Sequence, residues 1–347
     1  SLQRAVELLE LPALVGRLRA AVSSEPGAML AAALEPSWDP DEVRRRQSLT
    51  AEAIALLDAA EEPPLHDAAD VRDAADAAAR GGTLDPPSLG AVARSIGAGL
   101  GARSTLVGRD DVPGLATIAA RIDDDLGRVA SALDRVLDEQ ATDLRDDASP
   151  KLRRLRRELR DGRVRLAERL RALARDPSLR EVLSEEFVTE RAGRPVLAVR
   201  STARGAVPGI VHDASGSGRT LFVEPFAVVD DSNRLREAES AERDEVERIL
   251  RELSRDVGDR TAALYELENA VGGLDLALAC GRLSRAWRGV PVTLSDGIAL
   301  RAARHPLLDP AAAVPIDLEL GRLRAVVISG PNTGGKTVAL KTLGLAA

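Results

Sequence analysis

At 347 residues the chain is long enough for two or three hydrophobic cores. A formal net charge of −7 excludes a general polyanion binder, so any nucleic-acid surface has to be a local basic patch. Aromatic residues make up 2% of the chain, which argues against base stacking; the abundance of Ala, Leu and Arg favours long helices. The single cysteine, Cys280, excludes an internal disulfide framework and fits a reducing compartment. No signal-peptide pattern and no apolar run of membrane-spanning length is found, so the expectation is a cytoplasmic protein with no membrane partner.

Residues 1–148 read as a helical core. Leu2, Val6, Leu9, Leu14 and Leu18 form the first helical stripe. Turn signals follow at "EPSWDPDE", "EEPPLHD" and "RGGTLDPP", separating amphipathic segments such as Asp41 to Ala60 and Pro87 to Leu100. His66, in a proline-flanked stretch, reads as a turn residue.

The pattern changes at Ser149-Pro150, which has the form of a helix N-cap with proline in the first turn. Leu152, Leu155, Leu159, Leu166, Leu170 and Leu173 then make a heptad seam, predicting an outgoing helix over 149–181. A second seam runs Val246, Ile249, Leu253, Val257, Leu264, Leu267, Val271, Leu274 and Leu278. It predicts a returning helix over 231–262 and a return to the core over 263–290. Two seams divided by an insert describe an antiparallel coiled-coil arm. Its outgoing helix is strongly basic, from Lys151 through Arg175, and interhelical pairing with Glu237, Glu239, Glu242, Asp244, Glu245, Glu247 and Glu252 accounts for roughly two-thirds of that basicity.

The insert, 182–230, switches to short β-type runs, Pro195 to Val199, Gly209 to Val211 and Thr220 to Val223, divided by Gly, Ser and Pro turns. It reads as a small β module at the tip of the arm. Arg191, Arg194, Arg200, Arg204 and Arg219 alternate there with apolar residues and glycines, a pattern suited to contacting a phosphate backbone. His212, beside Asp213, reads as a turn-stabilising residue, because no metal-ligand spacing accompanies it.

Residues 291–347 are β-type again and end in a phosphate-loop motif. Gly330, Pro331, Asn332, Thr333, Gly334, Gly335, Lys336 and Thr337 spell G-x-x-x-x-G-K-[ST]. An apolar segment, Ala325 to Ile328, enters it as a predicted strand, and Val338 to Leu345 leaves it as a predicted helix. Glycines let successive N–H groups face ATP phosphates, Lys336 reaches the β and γ phosphates, and the Thr337 hydroxyl ligates Mg²⁺.

Taken together, "ARHPLLDP" ahead of "SGPNTGGKT" resembles the ATPase entry of the bacterial MutS family. "VPGIVHDASGSGRTLFVEPFAVVDDSNRLREAESAERDEVERIL", "PPLHDAADVRDAADAAARGGTLDPPSL" and "DDASPKLRRLRREL" are similar to its second branch, which is linked to an Smr nuclease domain. The resemblance covers essentially the whole chain. It implies a mostly α fold: a helical core, a coiled-coil lever arm, a β clamp at the arm's tip, and the start of an α/β P-loop ATPase domain of ABC type. It also implies a homodimer and an ATP-gated clamp on double-stranded or branched DNA that suppresses recombination. The endonuclease would lie in a C-terminal part beyond this chain.

The same branch leaves open binding to collided ribosomes through rRNA, with ATP used to separate the subunits. A third reading is a scaffold with a nucleotide switch. Family position places Val314, Pro315 and Ile316 at the adenine, with Ile316 where the branch more often has Asn. Phe222-Val223-Glu224 spells the mispair wedge of mismatch-repair relatives, but its place in the β module reads as strand alternation. Walker B, signature and switch residues do not follow Thr337, so the chain is expected to be a fragment that binds ATP weakly, holds no catalytic residue and does not hydrolyse ATP.

Overall fold

The computed structural model describes residues 2–191, 193–295, 297–309, 311–321, 327–329 and 335–346. The chain is mostly helical, with small antiparallel sheets, and divides into two compact units. One comprises 1–82, 87–134 and 255–347; the other comprises 83–86 and 135–254. Among the described residues no helix is long and apolar enough to cross a membrane.

The first unit is built from α1 (Leu2–Leu8), α2 (Leu11–Ala21), α3 (Glu25–Ala32), α4 (Pro40–Ala59), α5 (Arg72–Ala79), α6 (Pro86–Leu106), α7 (Pro113–Ala119) and most of α8 (Leu126–Val136). Proline opens several of them, at Pro40, Pro86 and Pro113, where its missing N–H leaves no intrahelical bond unmade. The axis of the unit is a later helix, Thr261–Trp287, buried along Leu264, Leu267, Val271, Leu274 and Leu278 against α2, α3, α4, α5 and α7.

The second unit begins with α9 (Pro150–Ala174). Ser149 caps it by accepting a bond from the Leu152 N–H at 3.0 Å. β1 (Leu183–Arg191), β2 (Arg194–Arg200), β3 (Gly209–Ala214) and β4 (Thr220–Pro225) form one antiparallel sheet in the order β1-β2-β4-β3. α10 (Phe226–Gly258) then runs antiparallel to α9, as a ladder of cross-helix pairs shows. Ser149 and Lys151 meet Glu245, Arg156 meets Glu242 at 3.0 Å, Arg163 meets Glu239 at 2.9 Å, and Arg169 meets Asp231. The apolar cluster at the sheet end joins Leu166, Leu170 and Ala174 to Leu183, Leu197, Val199, Val223 and Val228.

The second heptad seam is two helices. α10 ends at Gly258 and α11 (Thr261–Trp287) begins after Asp259 and Arg260. The break falls in the seven-residue step between Val257 and Leu264, both fully buried. Gly258 is required there: a Cβ would stand 2.7 Å from the Ala78 backbone carbon.

The last segment adds β5 (Ala299–Ala303), paired with β6 (Ile316–Glu319), and α12 (Lys336–Ala346). Of the expected strand Ala325 to Ile328, Ala325 and Val326 lie outside the described residues; Val327 and Ile328 carry no regular structure.

Candidate nucleotide and nucleic-acid sites

The phosphate-loop motif is described only at its end, since Gly330, Pro331, Asn332, Thr333 and Gly334 lie outside the described residues. Gly335 sits at φ 75°, a left-handed conformation that a side chain would strain, and its carbonyl closes the first turn of α12 on the Ala339 N–H at 2.9 Å. Lys336 and Thr337 therefore occupy the first turn of an 11-residue helix, where backbone N–H groups have no intrahelical acceptor. Lys341, on α12, is tied to Glu10 at 2.8 Å. That ion pair holds the Glu10 carboxyl below its ordinary value.

Of the three residues expected at the adenine, Val314 is 81% exposed and Pro315 is exposed, while Ile316 is half-buried at the start of β6. Just upstream, His305 is buried. Its Nδ1 accepts the Leu307 N–H at 3.3 Å, and its Nε2 has no hydrogen-bond partner among the described residues. Arg17 fixes this turn by donating to the carbonyls of Pro306 and Leu307 at 2.8 and 2.9 Å.

The five arginines expected to meet a phosphate backbone do not form one surface. β2 separates them, with Arg194 at one end and Arg200 at the other, about 20 Å apart at 3.3 Å per residue. At the first end, Arg191 lies over the Phe222 ring at 4.0 Å and reaches Asp213 at 3.7 Å. Arg194 donates to Glu224 at 3.1 Å and to Asn233 at 2.9 Å. Alternation along β4 turns Val223 toward the helices and puts Phe222 and Glu224 on the other face.

Glu224 is fully buried and also binds His212 Nε2 at 2.7 Å. Burial pushes its carboxyl up, but Ser232, His212 and Arg194 outweigh this and hold it below the ordinary value. His212 is thus a strand residue held across the sheet, not the turn residue its neighbours imply. Glu224 and Phe222, being buried, present no wedge.

At the second end Arg200, Arg204 and Arg219 are all exposed. The Ser201 N–H donates to the Arg219 carbonyl at 2.9 Å, which holds this corner together. Arg200 also donates to the Leu183 carbonyl at 3.3 Å, while Arg204 and Arg219 have no ion-pair partner among the described residues. No group of three or more His, Cys, Asp or Glu that could hold a metal ion is present among the described residues.

Sequence reasoning also pooled the α9 basic residues, which the structure sorts. Arg156 bonds Asp143, Asp146 and Glu242, and Arg160, Arg163 and Arg169 are also paired. Arg154, Arg157, Arg165, Arg171 and Arg175 are exposed with no ion-pair partner among the described residues. Projecting the sequence at about 100° per residue sets Arg156 and Arg163 apart from the unpaired residues, but not Arg153, which shares the azimuth of Arg171 and reaches Asp147 at 3.7 Å.

No family model matches the chain. It is similar to proteins named Endonuclease MutS2. The match to the protein from Thermomicrobium roseum is 41% identical over 352 residues, covering 96% of this chain and 43% of that protein. The match to the one from Shouchella clausii is 38% identical over 352 residues, covering 99% and 44%. The match to the one from Geobacillus kaustophilus is 39% identical over 348 residues, covering 99% and 44%. The chain belongs to the MutS family, in the branch whose members carry that name. It spans less than half the length of these relatives.

Proposed function

We propose that this chain grips double-stranded or branched DNA through its second unit and binds ATP with Mg²⁺ through residues 330–337. The observation that carries the first half is the exposed corner of Arg200, Arg204 and Arg219, a local cationic patch on a chain of net negative charge. α9 and α10 would act as the lever and the four-stranded sheet as the clamp. For the nucleotide, the left-handed Gly335 and the place of Lys336 and Thr337 in the first turn of α12 suit a phosphate. Lys336 would meet the β and γ phosphates, and Thr337 would help hold Mg²⁺. ATP supplies the binding energy that biases the grip, which by linkage requires DNA to alter ATP affinity by the same factor.

We assign no catalytic residue to this chain. We place the nuclease step named in its relatives in the part of their length that it does not span.

Two titrations test the reading. Lys336→Ala is expected to lower affinity for a fluorescent ATP analogue at least tenfold and leave duplex binding unchanged. Replacing Arg200, Arg204 and Arg219 by Ala is expected to do the reverse, weakening binding to a DNA duplex at low salt. The salt dependence should flatten by about 0.9 for each phosphate that the variant no longer neutralises. A wild-type chain that binds no duplex at 50 mM salt would overturn the nucleic-acid half.

A further inference from the structure

α9 places its side chains in three sets. The leucine seam, Leu152, Leu155, Leu159, Leu166 and Leu170, is buried. Arg156, Arg160 and Arg163 flank it and are consumed by carboxylates of α10 and of the segment before α9. Arg154, Arg157, Arg165, Arg171 and the C-cap residue Arg175 follow one another at steps of three, eight, six and four, which at about 100° per residue keeps them within the sector opposite the seam. None of the five has an ion-pair partner among the described residues, and three carboxylates, Glu158, Asp161 and Glu168, lie on or at the edge of the face, leaving a surplus of two positive charges.

The face runs about 32 Å from Arg154 to Arg175 at 1.5 Å per residue, close to one turn of a duplex. Beyond its end the chain leads to the arginine corner of the sheet. The Arg200 N–H donates at 2.9 Å to the Val182 carbonyl, seven residues beyond Arg175.

We propose that this outer face of α9 is a second contact for a nucleic-acid duplex, read through its phosphates and without sequence preference. The inference rests on the clamp reading and extends it from the corner of the sheet to the shaft of the helix. Charge complementarity selects the occupant. A protein partner would need apolar or aromatic anchors, and Val164 is the one large hydrophobic exposed on α9. A single strand would need aromatic side chains to stack on, and α9 has none. A row of guanidinium groups on a rigid helix needs only a row of anions, which a duplex backbone supplies.

The test is the salt dependence of binding to a 30-base-pair blunt DNA duplex, by fluorescence anisotropy, for the whole chain. Four proteins are compared: wild type, the corner variant R200A/R204A/R219A, the face variant R154A/R157A/R165A/R171A/R175A, and their combination. The face variant is expected to lower the magnitude of the logarithmic salt slope by at least 2 and affinity at 100 mM salt at least tenfold. Its losses should add to those of the corner, with melting temperature unchanged. A face variant with the wild-type slope, while the corner variant loses affinity, overturns this inference and leaves the clamp reading intact. Absence of wild-type binding overturns both. Binding of the face to poly-glutamate as tight as to duplex would overturn the choice of nucleic acid.

Discussion

The two units use charge in opposite ways. In the first, carboxylates are buried and spent on the open ends of neighbouring helices. Asp275, on α11, accepts the N–H groups of Ser23 and Ser24 at 2.9 and 2.7 Å, and both hydroxyls, at the start of α3. Glu52, on α4, accepts the Gly114 and Leu115 N–H groups at the start of α7. Glu268 accepts the Val71 N–H at the start of α5 and pairs with Arg72. Each carboxylate meets the partial positive end of a helix. In the second unit arginines and carboxylates are nearly equal in number, most lie at the surface, and only part of the arginine is paired. Where a charge is fully satisfied inside, it builds the fold; where it is exposed and unpaired, it is available to a partner.

Removing a buried carboxylate is the harshest way to break that contrast. Asp275→Ala strands two N–H groups and two hydroxyls, and is expected to cost about 3 kcal/mol of stability, read as a large fall in urea midpoint. Asp275→Asn, which keeps an acceptor, should cost clearly less. Second in size is a place where the second unit behaves like the first. Glu224→Ala leaves Arg194 and His212 facing each other without their shared anion, and a loss of about 2 kcal/mol is expected. A neutral outcome would mean the cluster is not a structural tie.

Acid sharpens the comparison. The Arg248 guanidinium, with Ser149 and Lys151, holds the Glu245 carboxyl down to about 2 from an ordinary 4.5. Its contribution is therefore complete above about pH 4.5 and is lost as pH falls toward about 2. Burial pushes Glu268 up, so its contribution is complete below the ordinary carboxylate value and is lost as pH rises through its folded value. Urea midpoints across the acid range should fall more gently for Glu245→Gln than for wild type, and Glu268→Gln should alter the higher-pH limb instead. The smallest effect is expected at the unpaired arginines: Arg157→Ala or Arg165→Ala should change stability by less than about 0.5 kcal/mol.

What could be read in advance follows the range of the interaction. Helix starts were legible because a cap and a proline act within one turn, as at Ser149-Pro150 and Pro40. β2, β3 and β4 were visible as apolar runs. β1 was not, because Glu185, Glu186 and Glu190 break its pattern and its register slips between Leu183 and Val188. The role of His212 depends on Glu224, a residue on the next strand, and no local spacing records that pairing. The same holds for Arg194, which looked like a free surface cation in sequence and is bound to a buried carboxylate. The break at Gly258 was hidden because a seven-residue step reads as an unbroken heptad.

Arginine-specific labelling with phenylglyoxal, followed by mass spectrometry with and without a DNA duplex, tests the central claim most directly. Arg154, Arg157, Arg165, Arg171, Arg175, Arg204 and Arg219 are expected to react in the free chain and to be protected by duplex, while Arg156 and Arg194 stay unreactive in both states. Equal reactivity of the paired and unpaired sets, or protection absent from α9 and the sheet corner while duplex is bound, would contradict the account.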